Sequence, residues 1–392
     1  MFTTEIIIIL ATITLLVLLS VFIPTTSHYS SEKPQTISLS GPPADGTDVA
    51  NYDSFISVEY RKGGEWVPTT ETMLFDTGSV ALILPYYKNL DATKYRTIKD
   101  NITEPWGCPA KILKGPIRLG GMEIPECQFI ACTGPNTYKR RTHICGASIS
   151  SRNEPYVYPS SPIVQVCKKL KRPFFEVVIN TSNLKSQVSF FSNKPPSYSQ
   201  KNVGGPFPII PNENWTAIAI EGIKVDGTKW QKLPQGCPAG EPDCGCYVDN
   251  QCWGSIDYDE ANCANEFIDA KWCMASNPAN KYIGLLDTGG GPIMINDDKQ
   301  QSLASVFKNT TKCPGWLSSS LGAQCFSDQI TVSISSDFEV KYPNNGKTTT
   351  VLFPRKNIFT SSGELNFGGQ FFLYGCNVLY DINSQEVYLQ PK

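Results

Sequence analysis

Short apolar runs, separated by turn residues, recur along most of the chain and predict β-strands. At 55–60, apolar and polar side chains alternate from Ile56 onward, which is the pattern of a strand with one buried face. The run at 73–75 is wholly apolar and predicts a buried strand, followed by a tight turn at Gly78. Further strands are predicted at 80–84, 177–191, 330–334, 338–342 and 377–389, and a hairpin at 115–132 that turns at Gly120 and Gly121.

Helical patterns are short and few. Residues 161–171 predict an amphipathic helix with Ser161 as its N-cap and a proline in its first turn. Residues 297–307 predict a second helix, whereas 215–227 predict two strands divided by Gly222. The pattern as a whole predicts an all-β fold.

Length and composition extend this picture to two lobes. A chain of 392 residues is too long for one typical hydrophobic core. Residues 192–213 are rich in proline, so we expect an N-terminal lobe at 51–200 and a C-terminal lobe at 201–392. The net charge of −2 provides no basic stripe for nucleic acid, and we therefore expect no nucleic-acid partner.

Residues 1–24 contain an uncharged apolar segment that begins at Ile6 and ends at Ile23. The segment is longer than the core of a usual signal peptide and just long enough to span a bilayer. A cleaved signal peptide and an uncleaved membrane anchor are both consistent with it. Either one places the rest of the chain in the secretory lumen or outside the cell, beyond a linker at 25–50 rich in Ser, Thr and Pro.

The cysteines fit an oxidising compartment. The chain has 14 of them, and we expect most to form disulfides. Six lie within 237–273, which interrupts the strand pattern and predicts an insertion held by three disulfides, with a zinc site as the less favoured alternative. Cys313 and Cys325 are candidates for a local pair. Sequons at Asn101, Asn180, Asn214 and Asn309 predict a glycoprotein.

Two copies of one motif carry the candidate chemistry. One apolar run leads into Asp76-Thr77-Gly78, and a second leads into Asp287-Thr288-Gly289. The chain has only two histidines, neither in a pattern typical of a nucleophilic triad, and it has no phosphate loop and no His-Glu-x-x-His zinc helix. We therefore expect no metal and no cofactor, and a reaction carried by carboxylates.

Asp76 and Asp287 can act as a pair if the fold brings their turns together. Two carboxylates a few ångströms apart cannot both ionise, so the pair holds one proton. One acid can then take a proton from water while the other polarises a carbonyl group. This chemistry is peptide-bond hydrolysis with water as the nucleophile.

In these motifs the sequence resembles the pepsin family of aspartic proteases. Family members carry an apolar-apolar-Gly motif after each catalytic turn; Ile144-Cys145-Gly146 matches the first, and Asn366-Phe367-Gly368 is a weaker counterpart of the second. Residues 367–391 resemble the last strands of the family, and 215–227 the opening of its second lobe. The resemblance implies a bilobal fold, a monomer, and a cleft that binds a protein or peptide substrate in extended conformation.

The resemblance also implies roles for particular residues. Asp76 and Asp287 would be catalytic. The family's flap tyrosine is missing because Glu104 occupies its position, and the tryptophan that supports it is replaced by Ile83. Trp106 is the nearest aromatic residue that could bind substrate in its place. The residues expected to support and orient the acids are Thr77, Gly78, Ser79, Thr288 and Gly289.

Gly290, which we also assign to the substrate cleft, is the main departure at the two turns. At this position, as at Ser79, the family uses a hydroxyl group to bond the outer carboxylate oxygen. We therefore expect Asp287 to lose one hydrogen bond to its charged form, and Asp76 to be the acid that stays ionised.

The sequence leaves two functions open. An aspartic endopeptidase is favoured because both acids are present. The alternative is a catalytically weak or inactive binding or inhibitory protein on the same scaffold, with the insertion at 237–273 as its contact surface. The changes at Gly290, Glu104 and Ile83 motivate this alternative.

Overall fold

β-strands form most of the described structure, as the apolar patterns predict. Residues 35–392 form one compact unit, and the unit before it, 1–34, is described only at Lys33 and Pro34. The computed structural model describes residues 33–41, 52–69, 72–84, 90, 93–103, 108–134, 143–150, 159–180, 185–210, 215–225, 229, 231–232, 244–248, 251–255, 271–272, 282–290, 293–295, 307–311, 324–334, 338–341, 351–353 and 364–392.

The strands are numbered along the chain. They are β1 (Gln35–Leu39), β2 (Phe55–Ile56), β3 (Val58–Lys62), β4 (Glu65–Pro68), β5 (Met73–Asp76), β6 (Leu82–Leu84), β7 (Arg96–Thr103), β8 (Pro109–Leu119), β9 (Met122–Cys132), β10 (Ile144–Gly146), β11 (Phe174–Val178), β12 (Ser186–Phe191), β13 (Gly204–Pro208), β14 (Ala217–Val225), β15 (Gln231–Lys232), β16 (Cys244–Val248), β17 (Gln251–Ser255), β18 (Lys271–Trp272), β19 (Tyr282–Leu286), β20 (Ile293–Ile295), β21 (Thr310–Thr311), β22 (Gln324–Phe326), β23 (Ile330–Ile334), β24 (Phe338–Lys341), β25 (Val351–Phe353), β26 (Glu364–Phe367), β27 (Cys376–Asp381) and β28 (Glu386–Pro391). Within the residues that the structure describes, two α-helices, α1 (Pro162–Leu170) and α2 (Gly369–Tyr374), and a 3₁₀ turn at Pro196–Ser199 accompany them.

Four sheets organise the described strands. A nine-stranded sheet has the order β2-β5-β10-β6-β9-β8-β3-β4, with β7 beside β8. A ten-stranded sheet has the order β21-β22-β25-β20-β26-β19-β14-β23-β24, with β15 beside β14. A six-stranded sheet, β1-β12-β11-β27-β28-β13, joins strands from early in the chain to its last two strands. The three-stranded sheet β17-β16-β18 lies within the predicted insertion at 237–273.

The predicted hairpin and the first predicted helix are confirmed. β8 and β9 pair up to Leu119 and Met122, and the turn uses Gly120 and Gly121 at φ 50° and 87°, where glycine is least strained. Helix α1 begins as expected, because the Ser161 hydroxyl accepts a hydrogen bond from Val164 N at 3.2 Å. Most of the second predicted helix, 297–306, lies outside the described residues.

One local prediction is wrong, and two local features are not predicted. In place of the two strands expected within 215–227, a single strand, β14, runs through Gly222, and a register shift between Ile220 and Gly222 absorbs the glycine as an irregularity. The proline-rich stretch 192–213 contains a strand, β13, which pairs with β28. Helix α2 is not predicted, since its aromatic residues favour strands, but its burial in the core overrides that local preference.

The cysteines divide into bonded and reduced groups. Cys108 and Cys132 form a disulfide that joins the start of β8 to the end of β9. Cys325 is also disulfide-bonded, while its predicted partner Cys313 lies outside the described residues. The expected disulfide bonds do not form among the described cysteines of the hydrophobic core. There the buried thiols pack as small apolar groups. The reduced cysteines in the described part are Cys127, Cys145, Cys167 and Cys376.

Several expectations concern residues outside the described ranges. These include the apolar segment at 6–23, most of the linker at 25–50, and Asn214 of the sequons. Within the described ranges, neither helix has the length and apolar character needed to cross a bilayer.

Parallel strand pairs place both apolar-apolar-Gly motifs beside the Asp-Thr-Gly turns. β10 runs parallel to β5, and Gly146 pairs with Asp76. β26 runs parallel to β19 in the other large sheet, and Phe367 pairs with Leu286. Gly146 lies so close to the first turn that an added Cβ atom would collide with the Ser79 carbonyl oxygen. The motif therefore supports the turn by close backbone contact.

We predict that Gly146→Ala destabilises the protein by about 3 kcal/mol, because the added Cβ would meet rigid backbone atoms, including Ala81 N and O at 2.7 Å. Gly134→Ala is the matched control, since its added Cβ would make ordinary contacts with Pro109 at 3.5 Å and beyond. The control should change stability by less than about 1 kcal/mol. Urea unfolding measures both values, and equal effects would contradict the steric argument.

Candidate active site

The two Asp-Thr-Gly turns meet and are joined by reciprocal hydrogen bonds. Thr77 N donates to Thr288 Oγ1 at 3.0 Å, and Thr288 N donates to Thr77 Oγ1 at 2.9 Å. Each hydroxyl then donates to the opposite strand, Thr77 Oγ1 to Leu286 O and Thr288 Oγ1 to Phe75 O, both at 2.7 Å. Both threonines are fully buried, so the four bonds are shielded from water.

The threonines orient the acids in a less direct way than the sequence suggests. Their hydroxyls bond backbone groups of the opposite turn and strand rather than the carboxylates. They fix the position of one strand end against the other. This position in turn determines where the side chains of Asp76 and Asp287 lie.

Asp76 accepts two hydrogen bonds from its own turn. Gly78 N donates to Oδ1 at 2.7 Å, and Ser79 Oγ donates to Oδ2 at 2.6 Å. Gly78 and Ser79 therefore each hold one oxygen of this carboxyl group by a hydrogen bond. The Asp76 carbonyl oxygen is also bonded, by Ala147 N at 2.7 Å, which ties the turn to the segment after β10.

Asp287 also accepts two hydrogen bonds, but one comes from a distant residue. Gly289 N donates to Oδ1 at 3.0 Å, as Gly78 does in the first turn. Asn366 Nδ2 donates to Oδ2 at 2.9 Å, from a residue 79 positions further along the chain. The expectation that Asp287 loses a hydrogen bond is therefore wrong, because an amide replaces the missing hydroxyl.

Gly290 lacks a hydroxyl group, and it also leaves space beside Asp287. A Cβ atom added there would lie 2.7 Å from Asp287 Oδ2 and 2.8–2.9 Å from the amide atoms of Asn366. Glycine leaves the space in which the amide reaches the carboxylate. The structure provides no substrate contact for Gly290, so its assignment to the substrate cleft stays a prediction.

The glycines of both turns let the carboxyl groups face each other. A Cβ added at Gly78 would lie 2.7 Å from Asp287 Cγ, and one added at Gly289 would lie 2.9 Å from Asp76 Cγ. Each glycine therefore lies directly against the opposite acid. A larger residue at either position would occupy the contact between the two turns.

The electrostatic environment favours a proton on Asp76. Only 8% of this residue is exposed, whereas Asp287 is partly exposed. Burial, the neighbouring charge of Asp287 and the hydrogen bond between the two carboxyl groups together raise the pKa of Asp76 well above its usual range. This direction is opposite to the expectation that Asp76 stays ionised, because the bond from Ser79 is outweighed by burial and by the second acid.

The pair can share one proton and can therefore act as an acid and a base together. No group of three or more His, Cys, Asp or Glu side chains that could hold a metal ion occurs within the described ranges.

The roles that the resemblance assigns to the flap residues stay predictions. Trp106 and Glu104 lie outside the described residues. Ile83 is buried and packs in a small cluster with Ala110 and Ile130, which is a structural role. Asn366 is the site residue that sequence reasoning missed as a donor. Its only signal was a polar side chain in an otherwise apolar motif.

No protein-family model matches the chain, and no curated protein matches it. The likeness to the pepsin family therefore rests on the residues described above.

We predict that Thr77→Val destabilises the protein by about 2–4 kcal/mol. Valine preserves the volume but leaves Thr288 N and Leu286 O buried without these partners. Thr77→Ser keeps the hydroxyl group and should cost about 1 kcal/mol, from the lost methyl group. Unfolding in urea compares the two variants, and equal losses would mean that packing rather than hydrogen bonding joins the turns.

We predict that Asp76→Asn stabilises the protein increasingly as the pH rises above about 4. An unfolded carboxyl group releases its proton near pH 3.9. Because the pKa of Asp76 is raised in the folded state, the wild type loses stability from that pH up to the raised pKa, and the asparagine variant does not.

The control for this prediction is Asp100→Asn. The pKa of Asp100 is lowered by hydrogen bonds from Lys111 and from Asn101 N–H, so its contribution has the opposite sign and is present above pH 4. Urea unfolding from pH 3 to pH 7.5 measures both. A pH-independent difference between Asp76→Asn and the wild type would contradict the prediction.

Proposed function

We propose that the chain is an aspartic endopeptidase of the pepsin-like type, which hydrolyses peptide bonds in proteins with water activated between Asp76 and Asp287. The observation that carries the proposal is the reciprocal bonding of Thr77 and Thr288, which joins two like turns and brings their acids together. Two acids held close together, one of them buried, are costly to stability, and such arrangements are typical of functional sites.

The sheet arrangement supports the bilobal pepsin-like fold. Each large sheet contributes one catalytic strand, β5 or β19, and each pairs this strand in parallel with an apolar-apolar-Gly motif or its counterpart. The six-stranded sheet connects strands from both parts of the chain. We assign the lobes proposed from the sequence, 51–200 and 201–392, to this arrangement.

The chemistry would proceed without a covalent intermediate. The ionised acid takes a proton from water as the water oxygen adds to the scissile carbonyl carbon, and the protonated acid gives its proton to the carbonyl oxygen. The tetrahedral species then loses the amine when its C–N bond breaks: the nitrogen receives a proton from one carboxyl group, and a hydroxyl group on the tetrahedral carbon gives its proton to the other as the new carbonyl group forms. Both carboxyl groups return to their starting state, and no metal or cofactor is required.

The alternative function, a binding or inhibitory protein with little catalysis, has lost one of its arguments. Gly290 motivated it by removing a donor from Asp287, and Asn366 supplies a donor at the same carboxylate oxygen. A secretory location, glycosylation and a monomeric state accompany the proposal as expectations from the sequence.

We predict inhibitor-sensitive cleavage of an unfolded protein by the purified chain between pH 3 and pH 7. A statine-type inhibitor should block it, and Asp76→Asn and Asp287→Asn should each lower the rate by about 10²–10⁴-fold, the range for loss of general acid–base catalysis. Asp100→Asn changes an exposed acid and should leave the rate unchanged. A folded protein that cleaves nothing at any pH would favour the binding protein instead.

A further inference from the structure

We propose that Asn366 is a positioning residue that decides which acid of the pair is ionised, making Asp287 the base and Asp76 the acid. The inference rests on the proposed function, since it assigns roles within the same site. It concerns a residue that the resemblance marks only as part of a backbone motif.

The two turns supply equal numbers of hydrogen bonds to their carboxyl groups, but one of the donors differs. Each carboxyl group receives a backbone N–H on Oδ1, from Gly78 or Gly289. Each receives a side-chain donor on Oδ2, the Ser79 hydroxyl for Asp76 and the Asn366 amide for Asp287. The count of hydrogen bonds is therefore equal, and only the chemistry of the Oδ2 partner differs.

That chemistry determines where a proton can lie. A hydroxyl group donates or accepts, so Ser79 can bond Asp76 Oδ2 whether or not this oxygen carries a proton. An amide NH₂ group only donates, so the bond from Asn366 requires an unprotonated Oδ2 on Asp287. Gly289 N–H likewise only donates, to Oδ1, so both oxygens of Asp287 face donors that favour the charged form, whereas Asp76 can carry a proton on Oδ2 and keep its partner.

The arrangement of the amide agrees with this role. Asn366 Oδ1 is buried and has no hydrogen-bond partner, so the side chain makes its contact through the nitrogen. The opposite orientation would aim Oδ1 at Asp287 Oδ2 and would need a proton on that oxygen. The raised pKa of Asp76 is consistent with the proton residing on the first acid.

Other titratable groups around the pair do not supply a competing charge. Tyr380 on β27 interacts electrostatically with Asp287, and Cys145 on β10 interacts electrostatically with Asp76. Burial raises the pKa of both groups, so they stay neutral across the acidic and neutral range. In the described part of the chain, the asymmetry of the pair therefore comes from its Oδ2 partners and its burial.

The residue type that can stand at position 290 depends on the side chain at position 366. A side chain at 290 would contact the Asn366 amide and Asp287 Oδ2 at less than 3 Å, so the hydroxyl and the amide exclude each other. A hydroxyl at 290 should therefore restore a donor only when the side chain at 366 is also shortened. This exclusion makes the pair testable by substitution in both positions.

The experiment titrates the carboxyl carbons of ¹³C-labelled aspartate by NMR in the full-length protein, and Asp76→Asn and Asp287→Asn assign the two signals. In the wild type, the carbon of Asp287 should follow the lower step of the pair and that of Asp76 the upper step. Asn366→Leu should raise the lower midpoint by about one pH unit, because a donor to the charged form is lost. Gly290→Ser combined with Asn366→Ala should move the midpoint back, because alanine removes the side-chain atoms that would meet a Cβ atom at 290.

Asn377→Leu is the matched control, since Asn377 Oδ1 is likewise buried without a hydrogen-bond partner, and it should leave both midpoints unchanged. If Asn366→Leu does not fold, Asn366→Ala is measured in its place with the same expectation. The proposal is overturned if Asp76 follows the lower step in the wild type, or if loss of Asn366 leaves the lower midpoint unchanged.

The cleavage assay is run on the same proteins and separates the two proposals. In an active enzyme, the acidic limb of the kcat/KM profile should move with the lower midpoint, by about one pH unit in Asn366→Leu. A wild type that cleaves nothing but shows the expected titration would reject the proposed function and keep the role of Asn366 in setting the charge. Cleavage with an unmoved acidic limb would reject the role of Asn366 and keep the function.

Discussion

The reciprocal hydrogen bonds between Thr77 and Thr288 are the constraint on which the site depends. They join two turns that are 211 residues apart, and they continue into the strands through Leu286 O and Phe75 O. Without them, the two turns would lose the buried hydrogen bonds that hold Asp76 and Asp287 close together. The threonine hydroxyls supply this attraction from fully buried positions, where a hydrogen bond is strong and its loss is costly.

Close backbone contact is the second requirement, and it explains the glycines. Gly78 and Gly289 lie against the opposite acid, and Gly146 lies against the backbone after the first turn. None of these positions has room for a Cβ atom. Gly290 belongs to the same group, but there the space is used by an amide rather than by backbone, and this difference makes the two halves of the site chemically unequal.

Sequence patterns predicted elements well where a local rule decides the structure. The hairpin at Gly120 and Gly121 follows from the left-handed turn that glycine permits, and helix α1 follows from the Ser161 cap. Prediction failed where packing against distant residues decides. Strand β14 continues through Gly222 because its neighbour tolerates a register shift, and the aromatic residues of α2 become helical because the core buries them.

The sequence alone determined that the chain is all-β and that Asp76 and Asp287 are the acids to consider, because strand periodicity and a repeated motif are local properties. It also indicated the supporting roles of Gly78, Ser79 and Gly289, which act within three residues of an acid. Only the tertiary structure decided the donor to Asp287. Asn366 is 79 residues away, and its amide meets the carboxylate only because β26 runs parallel to β19. The polar residue in an apolar motif marks Asn366 but not its partner, since a chain pattern records spacing along the backbone and not the neighbours that a sheet brings together.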